Sequence, residues 1–218
     1  MSLRVSLLVA TSNRGKLDEV RALLSDLPLD VVALGDALPE LGPIREDGAT
    51  FAENALLKAR AASTAATMLT LADDSGLEVD ALGGRPGVRS ARYAKEGATD
   101  AENNATLLSA LDEVDEAQRS ARFRCAVALV DPWAESDARE LVVHGCCEGA
   151  IARHPRGSGG FGYDPLFLVA GLGRTMAELD EAEKNTVSHR ASALAKLRPT
   201  LARLVAERLA TTRRILEG

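Results

Sequence analysis

The sequence predicts an α/β protein built on an elongated, mixed β-sheet flanked by helices. Three observations predict it. Short apolar runs alternate along the chain with stretches of helical periodicity, the runs end at clusters of polar turn residues, and the apolar residues are mostly aliphatic. A chain of 218 residues can form one large domain or two small lobes that share a sheet. No internal repeat, low-complexity tract or linker divides the sequence, so residues 1–218 are expected to form a single domain.

The elements follow in order. Val5 to Ala10 is a short apolar run ending at Thr11-Ser12-Asn13, after which Leu17, Val20, Leu24 and Leu27 recur at helical spacing. This predicts a strand, a tight polar turn and an amphipathic helix. Thr50 and Glu53 stand at capping-box spacing ahead of a second helix. Leu69 to Ala72 predicts a buried strand that stops at Asp73-Asp74-Ser75-Gly76. Thr99 with Glu102, and Thr175 with Glu178, repeat the capping pattern before a third helix and a short fourth one. From Phe123 the period becomes two, placing Phe123, Cys125, Val127 and Leu129 on one strand face. Leu141 to His144 and Leu166 to Val169 are further strands, and Pro199 marks the start of a last helix carrying Leu201, Leu204, Val205 and Leu209.

Composition narrows the function classes. The net charge of −6 gives a whole-molecule field that does not favour a polyanion, so no nucleic-acid partner is expected. Cations gathered locally can still hold a small phosphorylated ligand, because a pocket responds to near charges. Residues 1–10 lack a basic leader, and their apolar run is too short for a signal or a membrane span. No membrane partner and a cytoplasmic location are therefore expected. The cysteines, Cys125, Cys146 and Cys147, show no CxxC spacing and read as reduced, partly buried thiols.

Four segments carry side chains that packing alone does not require. Thr11-Ser12-Asn13-Arg14-Gly15-Lys16 lies where a strand passes into a helix, where backbone N–H groups and a lysine suit a phosphate. An ordinary N-cap by Ser12 or Asn13 is the plain structural account. The P-loop spacing is absent. Asp73-Asp74-Ser75-Gly76 offers two carboxylates at a strand end, a donor set that suits Mg²⁺, although Asp and Gly also favour turns. Upstream, Glu46-Asp47-Gly48 offers a further carboxylate or is simply an acidic turn.

The loop from Gly157 to Pro165 combines glycines, which permit close backbone approach, with Phe161 and Tyr163, which can stack on a base. A hairpin connection is the alternative. Lys184 and Ser188-His189-Arg190 bring an amine, a hydroxyl, an imidazole and a guanidinium within seven residues, either as a site or as a solvated helix start capped by Ser188. His144 and His154 fall outside these segments and read as a strand residue and a surface-loop residue.

Taken in this order, the four segments resemble the Ham1/RdgB-type inosine triphosphate pyrophosphatase family, over about Val5 to Leu197. The matching motifs are Thr11, Asn13 and Lys16, then Ala72-Asp73-Asp74-Ser75-Gly76-Leu77 with Ala81 to Gly87. Gly159 to Pro165 follows, and then Glu183-Lys184 with Ser188-His189-Arg190. A C-terminal helical extension, 199–218, lies past the pattern. The resemblance implies two lobes with a central nucleotide cleft and hydrolysis of noncanonical purine nucleoside triphosphates (ITP, dITP, XTP) to the monophosphate and pyrophosphate. It implies Mg²⁺ held by Glu46 and Asp74, with Asp74 also as general base. Substrate would be bound by Thr11, Ser12, Asn13, Arg14, Gly15, Lys16, Ser75, Phe161, Gly162, Tyr163, Asp164, Lys184, His189 and Arg190. It implies a homodimer as well, and Arg92 and Lys58 lie near enough in sequence to add positive charge.

Two rival readings stand beside it. Maf-type pyrophosphatases share a related architecture, but the Phe161 loop and Ser188-His189-Arg190 argue against them. A non-catalytic nucleotide sensor is disfavoured by Asp73-Asp74, because carboxylates near a triphosphate repel it unless a metal intervenes.

Overall fold

The computed structural model describes residues 3–135 and 139–217. The first strand, β1 (Val5–Val9), leads through a turn into α1 (Arg14–Leu23). This helix stops before the expected Leu27, because Leu24 is its C-cap and Pro28 disfavours helix in the residue before it. β2 (Leu29–Ala33) and the one-turn α2 (Leu34–Ala37) follow, two elements too short to leave a periodic signal in the sequence. α3 (Phe51–Ala66) begins at the Thr50–Glu53 capping box, with Thr50 Oγ1 accepting from Glu53 N at 3.2 Å and Glu53 Oε2 accepting from Thr50 N at 3.2 Å.

β3 (Thr70–Val79) departs from expectation: it does not stop at Asp73 but runs on through Asp74-Ser75-Gly76. Burial explains this. Most of its length is enclosed on both faces, so neither alternation nor an early stop is required. α4 (Asp100–Ala110) starts at the expected Thr99–Glu102 box. β4 (Ser120–Val130) alternates as read in its first half, but from Cys125 onward every residue is buried and the period of two is lost. β5 (Glu140–Ile151) extends well past His144 and so takes both Cys146 and Cys147 into a strand. β6 (Phe167–Val169) completes the sheet, in the order β2-β1-β3-β4-β5-β6. β1 is parallel to β2 and β3, and β5 is antiparallel to β6, so the sheet is mixed as expected.

Thr175 and Glu178 do form their box, around a single 3₁₀ turn over Met176–Glu178. α5 (Glu181–Val187) and α6 (His189–Glu217) end the chain. Pro199 does not start the last helix, as the sequence suggested, but lies inside α6. A helix-interior proline costs about 3 kcal/mol through a missing N–H and a ring clash. The buried stripe of Leu194, Leu197, Leu201 and Val205 continues straight past it and offsets that cost. Of the expected 199–218 extension, Gly218 lies outside the described residues, and 200–217 continue the helix. No helix among the described residues is long and apolar enough to cross a membrane.

The chain divides into two compact units: Met1–Asp73 with Ala126–Val143 and Ala193–Gly218, and Asp74–Cys125 with His144–Ser192. The first has a small-residue core, in which Ala55, Ala59 and Ala62 of α3 meet Leu8, Ala72, Ala126 and Ala128. The far end of α6 is tied down in this unit by Arg208, which pairs with Asp131 at 2.5 Å and lies 4.3 Å over the ring of the lone tryptophan, Trp133.

The second unit has larger core side chains: Leu77, Leu107, Leu111, Phe123, Ile151, Leu166 and Phe167, with the Phe123 and Phe167 rings 4.4 Å apart. Within it the 2 %-exposed Arg119 closes off the end of α4, donating to Leu111 O at 2.5 Å and Val114 O at 3.1 Å. Replacing Arg119 by Met keeps the apolar stem and removes both charged donors, which should cost about 2–3 kcal/mol in urea unfolding. A change below about 0.5 kcal/mol, the usual size for an inconsequential surface substitution, would show that the guanidinium does not tie the helix end.

Candidate functional site

In the first unit, the parallel register Leu8↔Thr70 and Val9↔Leu71 sets the C-terminal end of β1 beside the first residues of β3, so the turn after β1 lies next to the stretch of β3 that carries Asp73. Open parallel sheets bind ligands at this end of their strands. The turn after β1 is built by its own side chains. Thr11 Oγ1 accepts from Asn13 N at 3.2 Å, and Asn13, the N-cap of α1, accepts from Lys16 N at 3.1 Å. No acidic residue occupies the first turn of α1, so the positive end of the helix is left for an outside anion. Ser12, Asn13 and Arg14 are exposed; Thr11, Gly15 and Lys16 are half-buried. Lys16 Nζ lies 3.1 Å from Asp73 Oδ2, and that carboxylate is almost wholly buried.

A second pair has the same composition: Lys58 Nζ of α3 sits 2.8 Å from Glu46 Oε2. The segment carrying Glu46 is fastened to the start of α3, since Gly48 N donates to Asn54 Oδ1 at 2.8 Å and Ala49 N to Glu53 Oε2 at 2.6 Å. Glu46 is therefore held in place, which answers the view of it as an isolated acidic turn. Lys58 as its partner was only faintly legible, as a lysine on the helix behind the capping box.

The two aspartates need separating. Asp73 and Asp74 lie within β3, not in an acidic turn, and successive side chains of an extended strand leave on opposite faces, so the two do not present themselves as one adjacent pair of donors. Asp73 is committed to Lys16 in the first unit; Asp74, 8 % exposed, belongs to the second. Carboxylate oxygens such as those of Glu46 and of Asp74 are hard donors of the type that Mg²⁺ takes. No group of three or more His, Cys, Asp or Glu side chains placed to hold a metal occurs among the described residues.

In the second unit the glycine loop and the α5–α6 junction come together. Asp164 Oδ2 accepts from Phe161 N at 3.0 Å and from Lys184 Nζ at 2.8 Å. Lys184 Nζ lies 4.6 Å over the Phe161 ring, and the Arg190 guanidinium carbon lies 5.9 Å from its centre. Arg190 donates to Ser75 Oγ at 3.2 Å. Five expected residues thus share one neighbourhood. Gly160 is required there twice over: its φ is +74°, and a Cβ would run into the Asp164 carboxylate. Ser188 does cap the helix, accepting from Ala191 N at 3.1 Å, but the junction is not a solvated helix start: Lys184, Ser188, His189 and Arg190 are all buried.

Other expectations are corrected here. Tyr163 is not available for stacking on a base; it is a core residue whose hydroxyl donates to Ser90 O at 2.8 Å, and burial pushes its phenol up. His189 is 6 % exposed and its ring stacks on Phe123 with centroids 4.9 Å apart, a packing position. His144 and His154 are an exposed strand residue and an exposed loop residue, as read. Arg92 pairs with Glu96 at 3.4 Å.

Comparison with known proteins bears on this arrangement. The Ham1 family model matches residues 7–200, close to the span inferred from the motifs. The dITP/XTP pyrophosphatase of Geobacillus kaustophilus is 52% identical over 191 residues, 88% of this chain and 91% of that one. The dITP/XTP pyrophosphatase of Geobacter sulfurreducens is 51% identical over 195 residues, 89% of this chain and 96% of that one. Among solved structures, a HAM1 protein from Coxiella burnetii superposes with a TM-score of 0.81 at 45% identity, covering 91% of this chain and 99% of that one. The Staphylococcus aureus Ham1 protein gives 0.77 at 38% identity, with 90% and 97% covered.

The cysteines stand apart from this chemistry. Burial, more than the neighbouring Glu148, pushes the Cys147 thiol up to about 11, and Cys146 likewise. Both stay protonated until the pH approaches that value. At pH 8 the folded protein should therefore react with iodoacetamide at least about tenfold more slowly than urea-unfolded protein, whose thiols have pKa values near 8.5. Equal labelling rates, measured by intact mass, would show reactive thiolates.

Proposed function

The chain belongs to the Ham1 family, and on that premise we propose that it hydrolyses noncanonical purine nucleoside triphosphates (ITP, dITP, XTP) to the monophosphate and pyrophosphate, using Mg²⁺. It is a hydrolase acting on phosphoric anhydrides, as are the relatives half-identical to it. One observation carries the assignment of parts: Lys16 and Lys58 are each held against a carboxylate, at 3.1 and 2.8 Å. Such pairs are charge-neutral before substrate arrives. When a polyphosphate and a divalent cation bind together, Lys58 can turn to phosphate oxygens while Glu46 takes the cation, and Lys16 can add phosphate contacts while it stays beside Asp73, so neither carboxylate is left uncompensated.

In this proposal Thr11 to Lys16 bind the triphosphate through the exposed start of α1, and Lys16 neutralises it. Electrostatic stabilisation of this kind is the main contribution in phosphoryl-type transfer, where positioning outweighs covalent chemistry. Glu46 and Asp74 would be the carboxylates offered to Mg²⁺, which when bound would supply charge neutralisation of the phosphates and Lewis acidity toward water. Asp74 is assigned as the general base that would take a proton from the attacking water.

Base choice is assigned to the second unit. Hypoxanthine and xanthine present an N1–H donor beside the O6 acceptor, whereas adenine presents an N1 acceptor beside an amino group. Phe161 supplies the stacking surface, Asp164 the acceptor, and Lys184 and Arg190, with Ser75 holding the latter, the donors. Adenine leaves these groups unpaired or opposed, and a mismatch of that kind in a buried site discriminates strongly. Gly162 shapes the loop, and His189, next to Arg190 in sequence, acts by packing on Phe123. The same proposal includes a homodimer, which the family resemblance supports, and a cytoplasmic location, which suits an enzyme of the nucleotide pool.

With purified protein and Mg²⁺, ITP and XTP should exceed ATP and GTP in kcat/KM by at least about 10², and the released phosphate should appear only after inorganic pyrophosphatase is added. Comparable rates on ATP would remove the base assignment; direct orthophosphate release would remove the pyrophosphate one. Chelation should stop turnover and Mg²⁺ should restore it. Asp74→Asn should abolish turnover with the thermal midpoint unchanged within about 2 °C, and near-normal activity in that variant would make Asp74 a structural residue.

A further inference from the structure

We propose that Asp100 and Asn104 are positioning residues for base discrimination, acting as a two-ended clamp on the backbone of Gly162. The two side chains stand four residues apart on α4 and so share one face of it. Asp100 Oδ2 accepts from Gly162 N at 2.7 Å, and Asn104 Nδ2 donates to Gly162 O at 3.0 Å. Both backbone polar groups of one glycine are thereby taken by one helix. Its N–H belongs to the peptide plane shared with Phe161 and its carbonyl to the plane shared with Tyr163, so the clamp orients the peptides on either side.

The supports behind the clamp are themselves tied by hydrogen bonds and burial. α4 is anchored in the core by Leu107, and Asn103 fixes its start by donating to Ala91 O at 3.1 Å and accepting from Ala94 N at 3.0 Å. On the far side of Gly162, Tyr163 is tied to Ser90; on the near side, Phe161 N donates to Asp164 Oδ2. Phe161 is half-exposed, yet its backbone is fixed from both directions. Gly162 itself, at φ +62°, adopts a conformation that has little intrinsic preference and therefore needs external ties. Asn104 Oδ1 is buried without a hydrogen-bond partner among the described residues, so the bond from its Nδ2 offsets an unsatisfied acceptor. An aliphatic residue would avoid that penalty but could not hold the Gly162 carbonyl.

The clamp touches neither Lys16 nor Asp74, so loosening it should move Phe161 relative to Lys184 and Asp164 and leave the chemical step alone. The proposal rests on the assignment of Phe161 to the base. The test compares kcat and KM for ITP and ATP in the full-length protein for Asp100→Ala, Asn104→Leu, Asn104→Asp and Phe161→Ala, with thermal unfolding of each. In the three clamp variants the ITP-to-ATP ratio of kcat/KM should fall about tenfold, through KM for ITP, with kcat for ITP within about threefold, the signature of lost positioning in binding. Asp100→Asn keeps an acceptor and should restore the ratio. A normal ratio in folded Asn104→Asp and Asn104→Leu, when Phe161→Ala loses discrimination, overturns the clamp alone. An unchanged ratio in Phe161→Ala overturns the base assignment first. A uniform fall in kcat on both nucleotides, tracking a lowered thermal midpoint, makes the two residues merely structural.

Discussion

The parallel pairing of β1 with β3 is the constraint on which the rest depends. It sets the turn after β1 beside the middle of a longer strand, and so delivers Lys16 to Asp73 at 3.1 Å. A lysine and an aspartate separated by more than fifty residues are brought together without a dedicated loop. The cost of burying the aspartate is offset by its counter-ion. Because β3 continues past this point, the next residue, Asp74, belongs to the second compact unit. The backbone thus assigns two neighbouring carboxylates to different duties.

The second unit reaches order by another route. Its glycine loop has no regular backbone ladder between Ser158 and Pro165, so side chains stand in for one. The Asp164 carboxylate is the centre, receiving the Phe161 amide and the Lys184 ammonium on the same oxygen. Glycine at 160 leaves room for that carboxylate, and Arg190 and Lys184 flank an aromatic ring whose negative face suits their charge. Such an arrangement is held by side chains without being closed by secondary structure, which suits the base-recognition role proposed for it.

Much of this was legible beforehand, for identifiable reasons. The capping boxes at Thr50, Thr99 and Thr175 are local hydrogen-bond patterns, and local patterns survive translation into sequence. Motif residues stood out because Lys, Asp and Gly at strand ends have no packing purpose. What stayed hidden is governed by burial on both faces: β3 passing through Asp73-Asp74, β4 losing its alternation after Cys125, and α6 running through Pro199. In each case tertiary enclosure overrides the local punctuation. The burial of Tyr163 and His189 was hidden for the same reason, since core neighbours of an aromatic or imidazole ring beside motif residues are not visible in the sequence. Asp100 and Asn104 left no signal, because on an amphipathic helix two polar side chains one turn apart look like any solvated face.

The anchoring of α6 beside Trp133 has a practical side. The protein contains one indole, and the guanidinium of Arg208 rests 4.3 Å over it, fixed by Asp131. Cations at such range perturb the emission of an excited indole, so the protein carries a built-in optical gauge of whether its terminal segment is seated. Intrinsic fluorescence will follow the detachment of that helix in real time, with no label to attach.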